Sequence, residues 1–429
     1  MKNMKWIGSA LALSLVLAGC GTGNNNAGET GGEGGSQAGK IEISFINGFT
    51  GGDGAYMKKI TDGFNASQDK YAIKELQEKD HYTKFKSGNY DLVVIHANNL
   101  DTYKKDGMIQ EAASVMEKAG LSADDFHQAG VDMTTLDGKM FAVPLDIHPL
   151  TMFYNKDLVA EAPQTYEDLT ELQASLQAKD KNLYAAGVPS SGLVEFYLMT
   201  IAAQNGIELQ QDNYLNFAQP ELADALMIFN RMIYEDKISP AGLGLDGEFQ
   251  AFMKEAQDSN ASVQTAVALT GPWFYGAAKE KYGDQLGVAS VPVLGEHQAV
   301  YGNGHTIAVS SKVTDQNKVD GIAEFFKYAF DKEHLINWAD AGQAPLHKAT
   351  MEAVEANKDQ YPISYVNQQQ FDTYAKGPQV YQFGEQVRYM NESVFGKVVS
   401  TPNLSKDDLM KELDAATKRA QQIAATEPK

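Results

Sequence analysis

Cysteine is almost absent: among 429 residues there is one, Cys20. The chain beyond it has no thiol for a disulfide, a thiolate metal site or a cysteine nucleophile. Arginine is scarce too, with only Arg231, Arg388 and Arg419. Guanidinium forks are the usual clamps for phosphate and carboxylate, so an anionic ligand is disfavoured. The formal net charge of -20 argues against nucleic acid, whose phosphates demand a basic face. Past the N-terminus no apolar run is long enough to cross a bilayer. There is no internal repeat, P-loop, HExxH or EF-hand loop. Gly242 to Gly247 satisfies GxGxxG, but it follows the loop-like Ile238-Ser239-Pro240-Ala241 rather than a strand, so it is no nucleotide site. The histidines, from His81 to His347, are scattered without metal-ligand spacing. No metal, no cofactor and no catalytic residue is expected.

What is present begins at the N-terminus. Lys2 and Lys5 precede a mostly apolar Ile7 to Leu17, and small residues lead to Cys20. That is the layout of a secretory signal. Leu17-Ala18-Gly19-Cys20 resembles the lipobox of bacterial lipoproteins. The resemblance implies a signal peptide over 1–19 and cleavage before Cys20. It also implies a lipid-modified Cys20 that anchors the chain to the outer, extracytoplasmic face of the cell membrane. Two or three acyl chains hold a protein where one would not. After Cys20, residues up to Lys40 are mostly Gly, Asn, Glu, Ser, Thr and Ala without a large apolar side chain, which predicts a flexible tether over 20–40. Its root-mean-square reach is roughly 25 Å.

About 390 residues remain, too many for one ordinary core, so two domains are expected. Ile41 to Ile46 alternates as a strand does and ends in the glycine-rich Asn47 to Gly54. Ala55 to Asn65 has helical spacing through Met57, Ile60 and Phe64. Asp91 to His96 is a short apolar run, as expected of a buried strand. Met140 to Pro144 and Leu150 to Asn155 predict two more strands. Thr165 with Asp168 predicts a capping box. Helical patterns continue over 194–205, 221–235, 272–282, 318–340 and 405–424. Strands alternating with helices mean an α/β fold. Pro144 and Pro149 bracket a segment that should be neither ordinary central strand nor helix.

Gly138-Lys139-Met140-Phe141-Ala142-Val143-Pro144 runs through Leu145-Asp146-Ile147-His148-Pro149-Leu150 to Phe153-Tyr154-Asn155-Lys156-Asp157-Leu158. Pro163 to Leu169 follows, with Tyr166 where a Trp is usual, then Gly271-Pro272-Trp273-Phe274, Val291-Pro292, Gly302 to Val309 and Ala341 to Pro345. In this order they resemble the extracellular solute-binding proteins of ABC importers, in the sugar-binding group that includes maltose-binding protein. The resemblance covers nearly all of the mature chain. The Asp146–Pro149 hinge departs from maltose-binding protein itself, which leaves the sugar open rather than the fold. The resemblance implies an α/β fold of two discontinuous lobes, 41–147 plus 301–345 and 148–300 plus 346–429. Crossover strands join the lobes near 146–149, 300–304 and 344–347, with a ligand cleft between them that shuts by hinge motion. It implies a monomeric binder that captures a carbohydrate, an oligosaccharide by preference, and delivers it to the transmembrane permease subunits of an ABC importer.

Sugars need aromatic faces for their C–H sides and planar polar groups for their hydroxyls. Asp146 and His148, at the crossing, are the leading polar candidates, with His148 standing where the resemblance places a sugar-contacting Glu. Trp273 leads the stacking candidates, Phe274 follows, and Trp338 reads as core. Strand ends, where open α/β sheets bind ligands, add Phe49, Asp53, His96 and Asn98. The second crossing adds Asn303 and His305, and Ser191 and Gln343 complete the set, with Ser190 and Glu195 weaker. The competing reading is a lipid-anchored glycoside hydrolase. It would need two carboxylates at about 5 Å or about 6.5–9.5 Å, and no glycosidase motif frames such a pair.

Overall fold

The structure, a computed structural model, describes residues 39–428. The expected signal peptide, Cys20 and nearly all of the expected tether lie outside the described residues.

The chain enters through strand β1 (Ile41–Asn47), whose Ile43, Phe45 and Ile46 are shielded from water. Helix α1 (Gly54–Ser67) buries Met57, Ile60 and Phe64, the stripe that a 3.6-residue repeat places on one side. Strand β2 (Tyr71–Gln77) pairs parallel to β1, and after helix α2 (His81–Ser87) strand β3 (Leu92–His96) pairs parallel to its other edge. Strand β4 (Val143–Pro149) is buried throughout. One residue later β5 (Thr151–Asn155) starts a second sheet, flanked by antiparallel β6 (Val267–Thr270) and β7 (Leu286–Ala289). Helices α3 (Val194–Gln204) and α4 (Pro220–Tyr234) pack with this second body. Strand β8 (Val300–Val309) returns to the first sheet, antiparallel to both β3 and β4. Helices α5 (Gln316–Ala329) and α6 (Lys332–Asp340), strand β9 (Ala344–Pro345), helix α7 (Lys348–Ala356) and the C-terminal α8 (Lys406–Ala424) complete the main elements. The first sheet runs β9-β4-β8-β3-β1-β2.

Two large apolar cores result. One gathers Phe45, Phe64, Leu145, Ile307, Phe325 and Trp338. The other gathers Leu150, Phe217, Phe229, Tyr301, Phe395 and Leu413. The chain therefore changes core between Leu145 and Leu150 and again between Tyr301 and Ile307, and we place the lobe crossings there. The assignment of everything after 345 to the second lobe is corrected. Helix α7 packs on α6 through Val354 and Ala339, and His347 lies against Phe126 of the first core. The chain reaches the second body only near Ile363, which packs with Phe153.

Two local expectations also change. Pro144 and Pro149 do not exclude a central strand: both lie in β4, between β8 and β9. Pro144 sits where the β8 register shifts after His305, and Pro149 is the last strand residue, so the missing N–H groups cost little ladder. The run 318–340 is two helices, because the Asp331 side chain accepts from the Glu333 N–H at 2.8 Å and caps a fresh start. The Thr165–Asp168 capping box is present, with Asp168 N–H donating to Thr165 Oγ1 at 3.1 Å and Thr165 N–H to Asp168 Oδ2 at 3.0 Å.

The second body buries one carboxyl group with little support. Glu248 is shielded from water, accepts from Thr270 Oγ1 at 3.1 Å, and its second oxygen has no partner among the described residues. Burial pushes its pKa up to about 8 from an ordinary 4.5. Between those pH values the unfolded chain has released this proton and the folded chain keeps it. The group therefore lowers stability as pH rises through that window, by at most about 1.4 kcal/mol per unit. Urea unfolding from pH 5 to 8 should show this slope in the native chain and a flatter one in Glu248→Gln. Equal slopes would mean that Glu248 is not buried as described.

Candidate functional site

The site follows from strand register. On β8, His305 pairs with His96 of β3 on one side and with Asp146 of β4 on the other, while Asn303 pairs with His148. Side chains two residues apart share a sheet face, so His96, Asp146, His148, Asn303 and His305 all emerge on the same side. These strands, Leu92–His96, Val143–Pro149 and Val300–Val309, lie far apart in the chain, so only the folded sheet assembles the group.

Asp146 is 0 % exposed and lies beneath the others. Its Oδ2 accepts the Trp338 indole N–H at 2.6 Å and His305 Nδ1 at 2.8 Å, and its Oδ1 accepts His148 Nδ1 at 3.0 Å. Burial alone would raise the Asp146 pKa, but the facing His305 and the hydrogen bonds from both imidazoles outweigh it and hold the carboxyl well below its usual range. Burial lowers the pKa of His96, with His305 and His148 adding to the effect, and burial likewise lowers those of His148 and His81. His96 is held from below by Tyr82, whose hydroxyl accepts the His96 backbone N–H at 2.9 Å and meets Nδ1 at 2.7 Å.

Above this floor opens a cavity of about 510 Å³. Phe49, Asp53, His96, Asn98, His148, Trp273, Asn303, His305 and Gln343, all singled out from sequence, line it. The walls come from both bodies. Phe49 packs against His305 and Trp338, each with ring centroids at 4.8 Å, and on the far side Trp273 lies edge-on to His148 at 5.8 Å and to Phe196 at 6.0 Å. Trp273 is 38 % exposed, an unusual degree for so large an apolar surface. Asn98 Nδ2 donates to Glu195 Oε1 at 3.2 Å, and the Tyr301 hydroxyl donates to the same oxygen at 2.9 Å, which ties the end of β3 to helix α3. Burial pushes Glu195 up to about 7. Gly48 is required beside His81: a Cβ there would lie 2.6 Å from the imidazole.

Three expectations are corrected. Asp146 does not line the cavity but supports the groups that do. Phe274 turns the other way and stacks on Phe249, with centroids 4.3 Å apart and planes at 18°. The short turn Pro272–Phe274 sends neighbouring rings to opposite sides. Ser191 pairs with Leu245 in an isolated bridge away from the cavity. The sequence reading missed His81, Tyr82 and Phe196. His81 and Tyr82 start the helix that follows β2, so the same strand-end rule that found Phe49 and His96 would have found them. It also missed that the scattered histidines converge. A larger cavity of about 830 Å³ is lined by residues within 101–137, 199–213 and 372–379 and by Ala299 and Tyr301 at the start of β8.

The family model for bacterial extracellular solute-binding proteins matches residues 59–364. A maltooligosaccharide ABC transporter solute-binding lipoprotein of Streptococcus pneumoniae is 23% identical over 388 residues, 86% of this chain and 86% of its own. The maltodextrin-binding protein MdxE of Bacillus subtilis is 24% identical over 302 residues, 67% of this chain and 68% of its own. The solved structure of the sugar-binding protein MalE from Xanthomonas citri aligns with a TM-score of 0.73 at 18% identity, over 90% of this chain and 98% of that one. The two-lobe α/β fold is thus shared.

Asp146→Ala strands the Trp338, His148 and His305 side-chain donors and the His305 backbone N–H at once, so it should cost about 3–5 kcal/mol in chemical denaturation. Trp273→Ala, at the open edge of the cavity, should cost less than about 1 kcal/mol. Similar losses in the two variants would contradict the division between a supporting floor and a free wall.

Proposed function

The chain belongs to the bacterial extracellular solute-binding proteins, and from that premise we propose that it is the carbohydrate-capturing component of an ABC importer, taking an oligosaccharide in the cleft above Asp146 and handing it to membrane permease subunits. It binds its solute and does not turn it over. The cavity's chemistry carries this reading. Asn98 Oδ1 and Gln343 Oε1 are buried acceptors without a protein partner, and both residues line the cavity beside Trp273, Phe49 and Phe196. Unpartnered acceptors suit hydroxyl donors, and aromatic faces suit the C–H side of a pyranose ring. The relatives named above, described as binding maltooligosaccharide or maltodextrin, support the same solute class.

Capture works by closure. The cavity's walls belong to two separately packed cores joined through β4–β5 and β8, so a solute touching both stabilises the closed arrangement. Phe49, Asp53, Asn98, Asn303, His305 and Gln343 would grip from the first lobe, Trp273 and Phe196 from the second, and His148 from the crossing. Delivery then needs only that the permease prefer the closed form. We propose that lipidated Cys20 holds the protein at the extracytoplasmic face. The lipobox supports this, as does the lipoprotein description of the Streptococcus relative. Among the described residues no helix is long and apolar enough to cross a membrane.

A maltooligosaccharide panel should raise the melting temperature, since ligand at 100 times its Kd adds about 2.7 kcal/mol. Trp273→Ala should weaken calorimetric affinity at least about tenfold, and Cys20→Ala should move the protein from membranes to the soluble fraction. Released reducing ends would favour the hydrolase reading, and a panel without any response would overturn the carbohydrate reading.

A further inference from the structure

The three imidazoles at the centre of the floor do more than line it. One ring nitrogen from each of His96, His148 and His305 lies within 4.8 Å of the other two. Hydrogen bonding decides which nitrogens are free. His148 Nδ1 and His305 Nδ1 both face Asp146, at 3.0 and 2.8 Å, and a carboxylate can only accept. Nδ1 of both rings is therefore taken up by Asp146, which leaves Nε2 as the nitrogen that can ligate. His96 Nδ1 is engaged by the Tyr82 hydroxyl at 2.7 Å, whichever of the two donates, so Nε2 is its unengaged nitrogen. Among the described residues no protein group pairs with Nε2 of any of the three, and all three rings line the cavity.

We propose that His96, His148 and His305 form a site for a divalent d-block cation, Zn²⁺ first, bound through the three Nε2 atoms with one coordination position open to the cavity. The donor set selects the ion class. Three neutral imidazoles suit zinc and its neighbours, whereas calcium and magnesium want oxygen donors, and no thiolate is present to favour Cu(I). A carboxylate behind a ligating histidine orients the ring and raises its basicity, and Asp146 does this for two rings at once. With Zn–N near 2.0–2.1 Å, a tetrahedral ion needs nitrogens about 3.3 Å apart, inside the 4.8 Å spread of the three rings, so the imidazoles draw together on binding.

The open position has a use. The cavity, about 510 Å³, is far larger than one ion, and its other walls are aromatic. The cation is thus an anchor within a site for a larger solute, whose hydroxyl, carboxylate or carbonyl oxygen takes the fourth position. The histidine geometry carries this inference, and it does not depend on the solute being a carbohydrate.

The test uses the mature chain as extracted from membranes in detergent, stripped with EDTA. Titration with ZnCl₂ should give one ion per chain with a micromolar or tighter Kd, and CaCl₂ should give no heat. Each of His96→Ala, His148→Ala and His305→Ala should weaken zinc at least tenfold, with folding checked by circular dichroism. Co²⁺ in the native chain should show the intense visible bands of a four-coordinate nitrogen site, which needs no variant. Absence of zinc binding, or equal binding by the native chain and all three variants, overturns the site. Thermal shifts with maltooligosaccharides, run with zinc and with EDTA, separate the two proposals. Sugar binding without any zinc binding removes the metal site and leaves the transport reading. Zinc binding without any sugar response upholds the metal site and counts against the carbohydrate reading.

Discussion

The Asp146 carboxylate, shut away from water, accepts from an indole on α6 and from imidazoles on β4 and β8. A buried charge is tolerable only when its lone pairs are filled, so these side-chain donors are held where they are by the cost of any alternative. The rest of the site rests on that constraint. It sets the tautomer of His148 and His305, points both rings at the cavity, and fixes Trp338 as a backstop for Phe49. A charge-assisted clamp of this kind makes one wall rigid, and a rigid wall loses little entropy when a solute arrives.

Asp146 also lies where the chain changes body. Within a few residues β4 passes from the first core, at Leu145, to the second, at Leu150, and β8 makes the opposite passage between Tyr301 and Ile307. The polar floor therefore sits on the first sheet, at the strands that lead across to the second body. A solute resting on it is equally placed to meet Phe49 and Gln343 from one side and Trp273 and Phe196 from the other. The Asn98–Glu195 contact already links these sides across the cleft. On the proposed reading capture and closure are one event: the groups that would recognise the solute are those whose separation would change when the lobes move.

Much of this was legible in the sequence, for identifiable reasons. Ile41 to Ile46, Asp91 to His96 and the Thr165 capping box carry local signals, and the structure keeps them. The strand-end rule reached Phe49, His96 and Asn98 because it depends only on where a strand stops. The convergence of His96, His148 and His305 was not legible, since it comes from pairing between strands far apart in the chain. Register of that kind leaves no spacing to read. Trp273 and Phe274 were inseparable for a different reason: one short turn decides which ring faces the cavity, and composition does not reveal it. Trp338 reads as core and is core, yet its N–H serves the site, because a buried indole needs an acceptor.

The two tryptophans of the mature chain report on opposite sides of the central claim, Trp338 under the floor and Trp273 on the free wall. The ¹⁵N indole resonances of the labelled protein, recorded with and without a saturating maltooligosaccharide, observe both at once. The account expects the Trp273 signal to move on binding. It expects the Trp338 N–H to be protected from exchange with solvent in both states by its bond to Asp146. A solute that binds while Trp273 stays unmoved, or a Trp338 N–H that exchanges freely, would contradict the cleft and its buried clamp.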